Sequence, residues 1–299
     1  MILYFDNAEG PVFRPPSEAY SFILRVTVGC SHNKCTYCNM YRSVKFRVRP
    51  MDEIMAQINA AKRYGQQIRR IFLADGNALV LSTDKLLNIL GVLRAEFPRL
   101  QRVSCYAGPK DMLNKTPAEL AALRDAGLGL VYFGLESGDD AVLTHVNKGV
   151  SAAEAIAAGR RMVAAGIKLS VMVIAGLGGK DGSSRHAYNT AMAVNAIRPN
   201  MLSALTLMLY RGCELLHEFE RGRFLPLSPA EIMGELYEMV RAIELPPDSH
   251  CLFRSNHISN HVALAATLPK DKEQLLQDIA AAQAQLANLT DWDPYNNVE

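Results

Sequence analysis

The chain has no strong charge of either sign: 32 Lys and Arg against 30 Asp and Glu leave a formal net charge of +2. That balance supplies no field that would argue for nucleic acid or an anionic membrane surface, although a local basic patch would be averaged away. No apolar run approaches the roughly 18 residues of a membrane helix, so no membrane partner is expected. The opening stretch Met1-Ile-Leu-Tyr-Phe-Asp6-Asn-Ala-Glu9 has an early acid and no basic region ahead of an apolar one, so no signal peptide is expected. Six cysteines without secretion signals point to the reducing cytoplasm, where free thiols or metal ligands are expected rather than disulfides. No fixed-period repeat is present, and no linker sets off an independent domain. What remains, 49% hydrophobic and 21% charged residues, is ordinary globular composition, with length for one large core or two small ones.

Short β-rich runs alternate with longer helical patterns. Strands are expected at residues 22–28, 70–74, 102–106, 130–135, 168–174 and 202–208. Helices are expected at 51–64, at 83–96 with Thr83 as N-cap, at 117–126 closed by Gly127, at 151–165 closed by Gly166, and at 184–197. Six strands alternating with helices imply parallel pairing with right-handed crossovers, in an open sheet or in a closed or partial barrel. After residue 208 the pattern turns helical, at 213–221, 228–243 and 272–289. The span 246–268 between them reads as irregular and rich in His and Asn.

The polar residues of interest fall where strands end, which is where parallel α/β folds bind ligands. Cys30, Cys35 and Cys38 follow the first strand in a C-x4-C-x2-C loop. Asp75-Gly76-Asn77 follows the second, Glu136 the fourth, and Gly176-Leu-Gly178-Gly179 the fifth. Three cysteines are one ligand short of a closed four-thiolate site. They admit a structural zinc site completed by His32 or a distant thiol, or a site with an open position that activates something. Cys105, Cys213 and Cys251 have no paired spacing and read as small buried hydrophobes. Taken alone, Glu136 reads as a helix cap, Lys148 as a surface lysine, and Gly176–Gly179 as a turn, because the G-x-G-x-x-G spacing of a dinucleotide fingerprint is absent. Asn256, His257 and His261 are candidates to line a substrate site, the two histidines sharing a face if that segment is helical. Tyr41, Arg47 and Arg49 either face the cysteine loop or are solvated.

The cysteine triplet after the first strand, with Tyr37 directly before Cys38, resembles the radical S-adenosylmethionine superfamily, with one residue more than that family's common C-x3-C-x2-C. Two further segments are similar to the branch holding the anaerobic coproporphyrinogen oxidases, the methylthiotransferases and the Elongator-type enzymes. One runs from Phe133 through Glu136 to Lys148. The other is Ile174-Ala-Gly176-Leu177-Gly178-Gly179, resembling that branch's G-L-P-G.

The resemblance, which covers roughly residues 20–210, implies an α/β fold, a partial (β/α)6 TIM-like barrel that with a short N-terminal extension takes residues 1–210; the helical pattern beyond it reads as a mainly helical C-terminal extension over 211–299, expected to pack on the barrel. The resemblance also implies a [4Fe–4S] cluster on Cys30, Cys35 and Cys38 whose fourth iron is chelated by S-adenosylmethionine. One-electron cleavage would then give a 5′-deoxyadenosyl radical that abstracts hydrogen from substrate. It places Tyr37 near the adenine and the backbone of Asp75, Gly76 and Asn77 near the methionine amino group. Glu136 falls on the ribose or amino group, Lys148 near the carboxylate, and Gly176 on the fifth-strand turn. Met172 stands where the branch carries an aspartate.

A small-molecule substrate is expected, with an electron donor such as flavodoxin or ferredoxin. No nucleic-acid partner is expected, because no strongly charged RNA-binding appendage is present. A tRNA-modifying enzyme is the rival within the class, and a zinc-stabilised α/β binding protein the rival outside it.

Overall fold

Helix boundaries follow from capping chemistry. Met51–Ala61 forms α1 and Thr83–Glu96 forms α2. The N-cap of α2 is Ser82, whose hydroxyl accepts from Lys85 N, and not Thr83 as the sequence suggested. Thr83 instead donates its hydroxyl to Glu119 Oε1 at 2.6 Å. Of the next helices, α3 is Pro109–Leu113 and α4 is Pro117–Asp125, the latter opened by a reciprocal Thr116/Glu119 capping box with proline in the first turn. Gly127 and Gly166 hold φ of +107° and +76°, the left-handed conformation that lets a chain leave a helix without a Cβ clash.

These coordinates are a computed structural model that describes residues 10–288; the expectations for residues 1–9, and for the last residue of the helix expected at 272–289, lie outside the described residues. The fold is α/β with an eight-stranded, mostly parallel sheet. Two units divide the chain. The first takes the described residues up to Asn33, Met40–Phe133 and Arg161–Leu169; the second takes Lys34–Asn39, Gly134–Arg160 and the described residues from Ser170 onward.

In the first unit, β1 (Phe22–Arg25), β4 (Arg70–Ala74), β5 (Arg102–Ala107) and the start of β6 (Leu128–Glu136) lie side by side in that order, all parallel. The run expected as one strand at 22–28 divides. Its end, β2 (Thr27–Val28), leaves the sheet and pairs antiparallel with β3 (Arg47–Val48). That departure delivers the chain into the cysteine loop. Ile23, Phe72, Leu73 and Val131 are buried, as strands covered by helices require.

The second unit contains α5 (Asp140–His145), the opening of α6 (Ala152–Ala164), most of β7 (Lys168–Ala175), α7 (Gly179–Ile197), β8 (Met201–Thr206), α8 (Glu214–Glu220), α9 (Pro229–Ala242), β9 (Cys251–Arg254), β10 (Ala265–Leu268) and α10 (Lys272–Leu286). β7, β8 and β9 are parallel, and β10 returns antiparallel to β9. The span 246–268 is therefore not irregular throughout. It carries two four-residue strands, and the sheet has more strands than the six read from the sequence. Such short strands, flanked by Pro, His and Asn, present too little alternation to stand out. No described helix is long and apolar enough to cross a membrane.

Candidate functional site

In the first unit the cysteine loop starts from a backbone pinned to the turn after β4. Gly29 N donates to Asp75 Oδ2 at 2.9 Å, and Gly76 N donates to Gly29 O at 3.2 Å. A Cβ on Gly76 would stand 3.0 Å from the Cys30 Cβ and 2.9 Å from the Tyr41 ring, so only glycine lets the turn lie against Cys30. The Asp75 carboxylate is taken up by Arg25, with Nε to Oδ1 at 2.9 Å and Nη2 to Oδ2 at 2.6 Å, both side chains 0% exposed. Burial pushes the Asp75 carboxyl up, and Arg25 and the Gly29 amide pull it only part of the way back. Asn77 uses its amide three ways: Nδ2 donates to Ser31 Oγ at 2.8 Å and to Asp111, and Oδ1 accepts from Gly108 N at 3.1 Å. Cys30, Asp75, Gly76 and Asn77 thus meet, with the acid and the amide acting on the loop's path.

Asn33 gives the four-residue spacer between Cys30 and Cys35 a left-handed turn at φ +46°, a conformation asparagine tolerates. Its Nδ2 donates to Tyr41 O at 2.8 Å. Tyr41 is buried, and its hydroxyl has no hydrogen-bond partner among the described residues. Burial, then the charge of Asp75, drives that phenol far above its ordinary pKa. Of the two arginines left open by the sequence, Arg47 and Arg49 both pair with Glu53, at 3.0 and 2.9 Å.

In the second unit Cys35 and Cys38 bracket a tight turn, Cys38 N donating to Cys35 O at 3.2 Å. Thr36 fastens it on both sides: its N donates to Val146 O at 3.0 Å, and its O accepts from Leu215 N at 3.1 Å. The partly buried Tyr37 ring packs against a core that includes Val142, Val146, Ile174 and Leu177. Burial, followed by the negative charges of Glu136, Cys35 and Cys38, raises the Tyr37 hydroxyl well above its ordinary value, so it stays protonated and donates to Glu136. Glu136 Oε1 also accepts from Lys148 Nζ at 2.8 Å, both side chains nearly buried. A Cβ on Gly134 would fall 2.1 Å from Glu136 Oε1 and 3.1 Å from Lys148 Nζ, so that glycine makes the room the pair occupies. Glu136 itself holds φ +63°, a strain of roughly 1–3 kcal/mol of the kind that gathers at functional positions. Tyr37, Glu136 and Lys148, far apart in sequence, form one hydrogen-bonded chain beside two of the cysteines. Lys148 is not a free surface cation.

Gly176 N donates to Glu235 Oε1 at 2.6 Å, and Ser183 donates its hydroxyl to Glu235 Oε2 at 2.5 Å, so a carboxylate from α9 holds the turn after β7. Beside it, His186 Nε2 lies 3.1 Å from Ile174 O and Nδ1 lies 2.8 Å from Ser137 Oγ. A carbonyl only accepts, so Nε2 carries a hydrogen and donates it to Ile174 O. Sequence reasoning missed His186 and Glu235. The signal available was two polar residues on the apolar faces of otherwise amphipathic helices.

Asn256, His257 and His261 lie in the connection between β9 and β10, which is not helical, so the shared helix face suggested by their spacing does not form. Asn260 anchors that connection, its Nδ2 donating to Ala204 O at 2.9 Å and its Oδ1 accepting from Thr206 Oγ1 at 2.9 Å. His257 Nδ1 accepts from Ser259 N at 3.1 Å; Asn256 and His261 are exposed.

None of the six cysteines is in a disulfide, and they fall into two classes: Cys30, Cys35 and Cys38 are half-buried, whereas Cys105, Cys213 and Cys251 are buried. Burial pushes the Cys105 and Cys251 thiols up to about 12. Among the described residues no three His, Cys, Asp or Glu side chains gather as the ligands of a single metal ion do. A multi-iron cluster spreads its thiolates over separate irons, and a donor set of three half-buried thiols on one loop fits a four-iron cluster with one iron left open. The difference between the classes has a direct consequence. Alkylation of cluster-free protein with iodoacetamide at neutral pH should modify three thiols per chain at Cys30, Cys35 and Cys38, because burial shields Cys105, Cys213 and Cys251 from the reagent and leaves Cys105 and Cys251 almost no thiolate. Peptide mass mapping reads the result; equal labelling of Cys251 would contradict it.

Comparison with known proteins supplies the family. Residues 24–189, more than half of the chain, match the Radical SAM superfamily. The chain is 23% identical over 219 residues to the heme chaperone HemW of Bacillus subtilis, covering 71% of this chain and 56% of HemW. It thus spans a little over half the length of that relative. Among solved structures it is similar to the archaeal Elp3 of Methanocaldococcus infernus, with a TM-score of 0.52 and 14% identity over 89% of this chain and 63% of that one. It is also similar to the radical S-adenosylmethionine methyltransferase TsrM of Kitasatospora setae, with a TM-score of 0.52 and 17% identity over 99% of this chain and 56% of that one. At such identities the structural likeness shows the fold, the partial TIM-like barrel. The family match carries the rest: the chain belongs to the radical S-adenosylmethionine superfamily of enzymes, whose cofactors are a [4Fe–4S] cluster and S-adenosylmethionine.

Proposed function

We propose that Cys30, Cys35 and Cys38 hold the cluster and that the chain cleaves S-adenosylmethionine to act on a small molecule. The observation that carries this is the separation of the thiols into three half-buried ones on a single loop and three buried ones elsewhere. The chemistry the cofactors supply when bound is a one-electron reductive cleavage that yields a 5′-deoxyadenosyl radical able to abstract hydrogen.

The protein's own part is positioning and exclusion of water. Asp75 holds Gly29, and Gly76 lies against Cys30, so the loop's entry is fixed before any cofactor binds. The backbone at Gly76 and Asn77 offers groups for the methionine amino end. Glu136 offers a carboxylate for the ribose or that amino group, and the hydrogen bonds from Tyr37 and Lys148 hold it oriented. Lys148 serves the methionine carboxylate, as a point charge without the fork an arginine would bring. Gly176, tied to Glu235, shapes the turn facing the nucleoside. Asn256, His257 and His261 remain candidates on the substrate side, and a flavodoxin or ferredoxin in the cytoplasm is the electron source.

The test needs no substrate. Anaerobically reconstituted protein, reduced with dithionite and given S-adenosylmethionine, should be brown and should release 5′-deoxyadenosine and methionine, measured by liquid chromatography. Protein that binds one zinc and no iron, or holds the cluster yet forms no 5′-deoxyadenosine, would sink the reading. Co-purifying RNA with steeply salt-dependent binding would move the substrate to tRNA.

A further inference from the structure

One cation in the second unit has no assigned work. Arg254 is the last residue of β9, at the carboxyl end of a parallel strand, where α/β folds bind ligands. The registers set Met172 of β7 beside Ser203 of β8, and Ser203 beside Arg254. All three are half-buried, whereas Val171, Leu202 and Phe253, one residue back in each strand, are fully buried. Met172, Ser203 and Arg254 therefore form a row on the less deeply buried face of the sheet, and the opposite face is fully packed. One step towards the strand ends, the half-buried Leu205 pairs with Ile174 on the same face.

The guanidinium in that row is fixed and half used. Nη1 donates to Phe253 O at 2.6 Å and to Ala266 O at 3.3 Å. Among the described residues nothing bonds Nε or Nη2, and no carboxylate pairs with the side chain. Those two atoms make the edge that grips a carboxylate side-on, and the chain shows the grip elsewhere: Arg25 offers the same Nε and Nη2 to Asp75 at 2.9 and 2.6 Å. A half-buried cation anchored on one edge and bare on the other asks for an anion.

We propose that Arg254 receives the carboxylate of the substrate, which is therefore a small carboxylic acid whose apolar body lies over Met172 and Leu205. The Ser203 hydroxyl is the neighbouring polar group on the row. A single cation among Met172, Ser203 and Leu205 suits a monoanion better than a phosphate, which carries more charge. This inference rests on the reading of the chain as an enzyme acting on a small molecule, and its test is separate from that reading.

Phenylglyoxal adds to free guanidinium groups, and peptide mass mapping locates the adducts. On the anaerobic, cluster-loaded protein Arg254 should be labelled and Arg25, locked on Asp75, should not. Hexanoate at ten times its dissociation constant should slow the labelling of Arg254 about tenfold. Hexanamide, its neutral counterpart, should leave the rate unchanged, as should chloride at equal ionic strength. An unreactive Arg254, a rate indifferent to hexanoate, or protection by inorganic phosphate without protection by hexanoate would each overturn the proposal. 5′-Deoxyadenosine formation in the same sample decides the other question: its presence without protection removes only the carboxylate site, and protection without it removes only the radical chemistry.

Discussion

Replacing Cys35 with alanine should take the anaerobically reconstituted protein from about four irons per chain to almost none and abolish its brown colour. The loss should be of the ligand and not of the fold. The turn around Cys35 is held by backbone bonds, from Thr36 N to Val146 O and from Leu215 N to Thr36 O, which an alanine leaves in place. The half-buried Cys35 side chain fills no deep core position, so thermal unfolding of the cluster-free variant should match that of the cluster-free parent. Cys251→Ala makes the opposite pair of outcomes. Cys251 is fully buried on β9, so its removal opens a small cavity and costs on the order of 1 kcal/mol, yet iron should stay near the parental value. Iron and sulfide analysis with the visible spectrum reads the two variants together. Four irons on Cys35→Ala, or their loss on Cys251→Ala with the fold intact, would mean that the cluster sits elsewhere.

The comparison of sequence with structure has a physical pattern. Helices such as α4 and α9 were legible from their helical pattern, with Gly127 closing the first, whereas the local capping boxes of Thr116 with Glu119 and Ser228 with Glu231 went unread. The covered strands were legible from continuous apolar runs, but β9 and β10 were not, because four residues leave almost no period to detect. At the candidate site, residue types were legible and partners were not. Glu136 and Lys148 stood out, but nothing in sequence said that they pair, or that Gly134 is what leaves room for them. Arg25 went unremarked inside the apolar first strand, although a charge in such a run demands a partner, and its partner Asp75 lies fifty residues away. Hydrogen-bond networks are set by which strands become neighbours, and that is information of the fold and not of the local sequence.

That arginine gives the largest stability effect expected of a single substitution. Asp75→Ala would take the carboxylate away from the Arg25 guanidinium at 0% exposure, and breaking a buried ion pair in this way costs roughly 3–5 kcal/mol. For a chain of this size the melting temperature should fall by on the order of 10 °C. The carboxylate also holds Gly29 N, so the entry to the cysteine loop should loosen, and iron retained after reconstitution should drop even in the fraction that is folded. The double variant Arg25→Met, Asp75→Leu separates the two consequences. Burial already pushes the Asp75 carboxyl up further than Arg25 and the Gly29 amide pull it back, which marks a pair whose desolvation is only partly offset. Replacing both partners with apolar side chains of similar size should therefore recover most of the lost stability. It would not restore the acceptor for Gly29 N. Recovery of the melting temperature without recovery of iron is the expected result, read by thermal unfolding and iron analysis on the same samples. Equal recovery of both would mean that Asp75 acts on the loop only through global stability, and its bond to Gly29 would then have no separate part in holding Cys30.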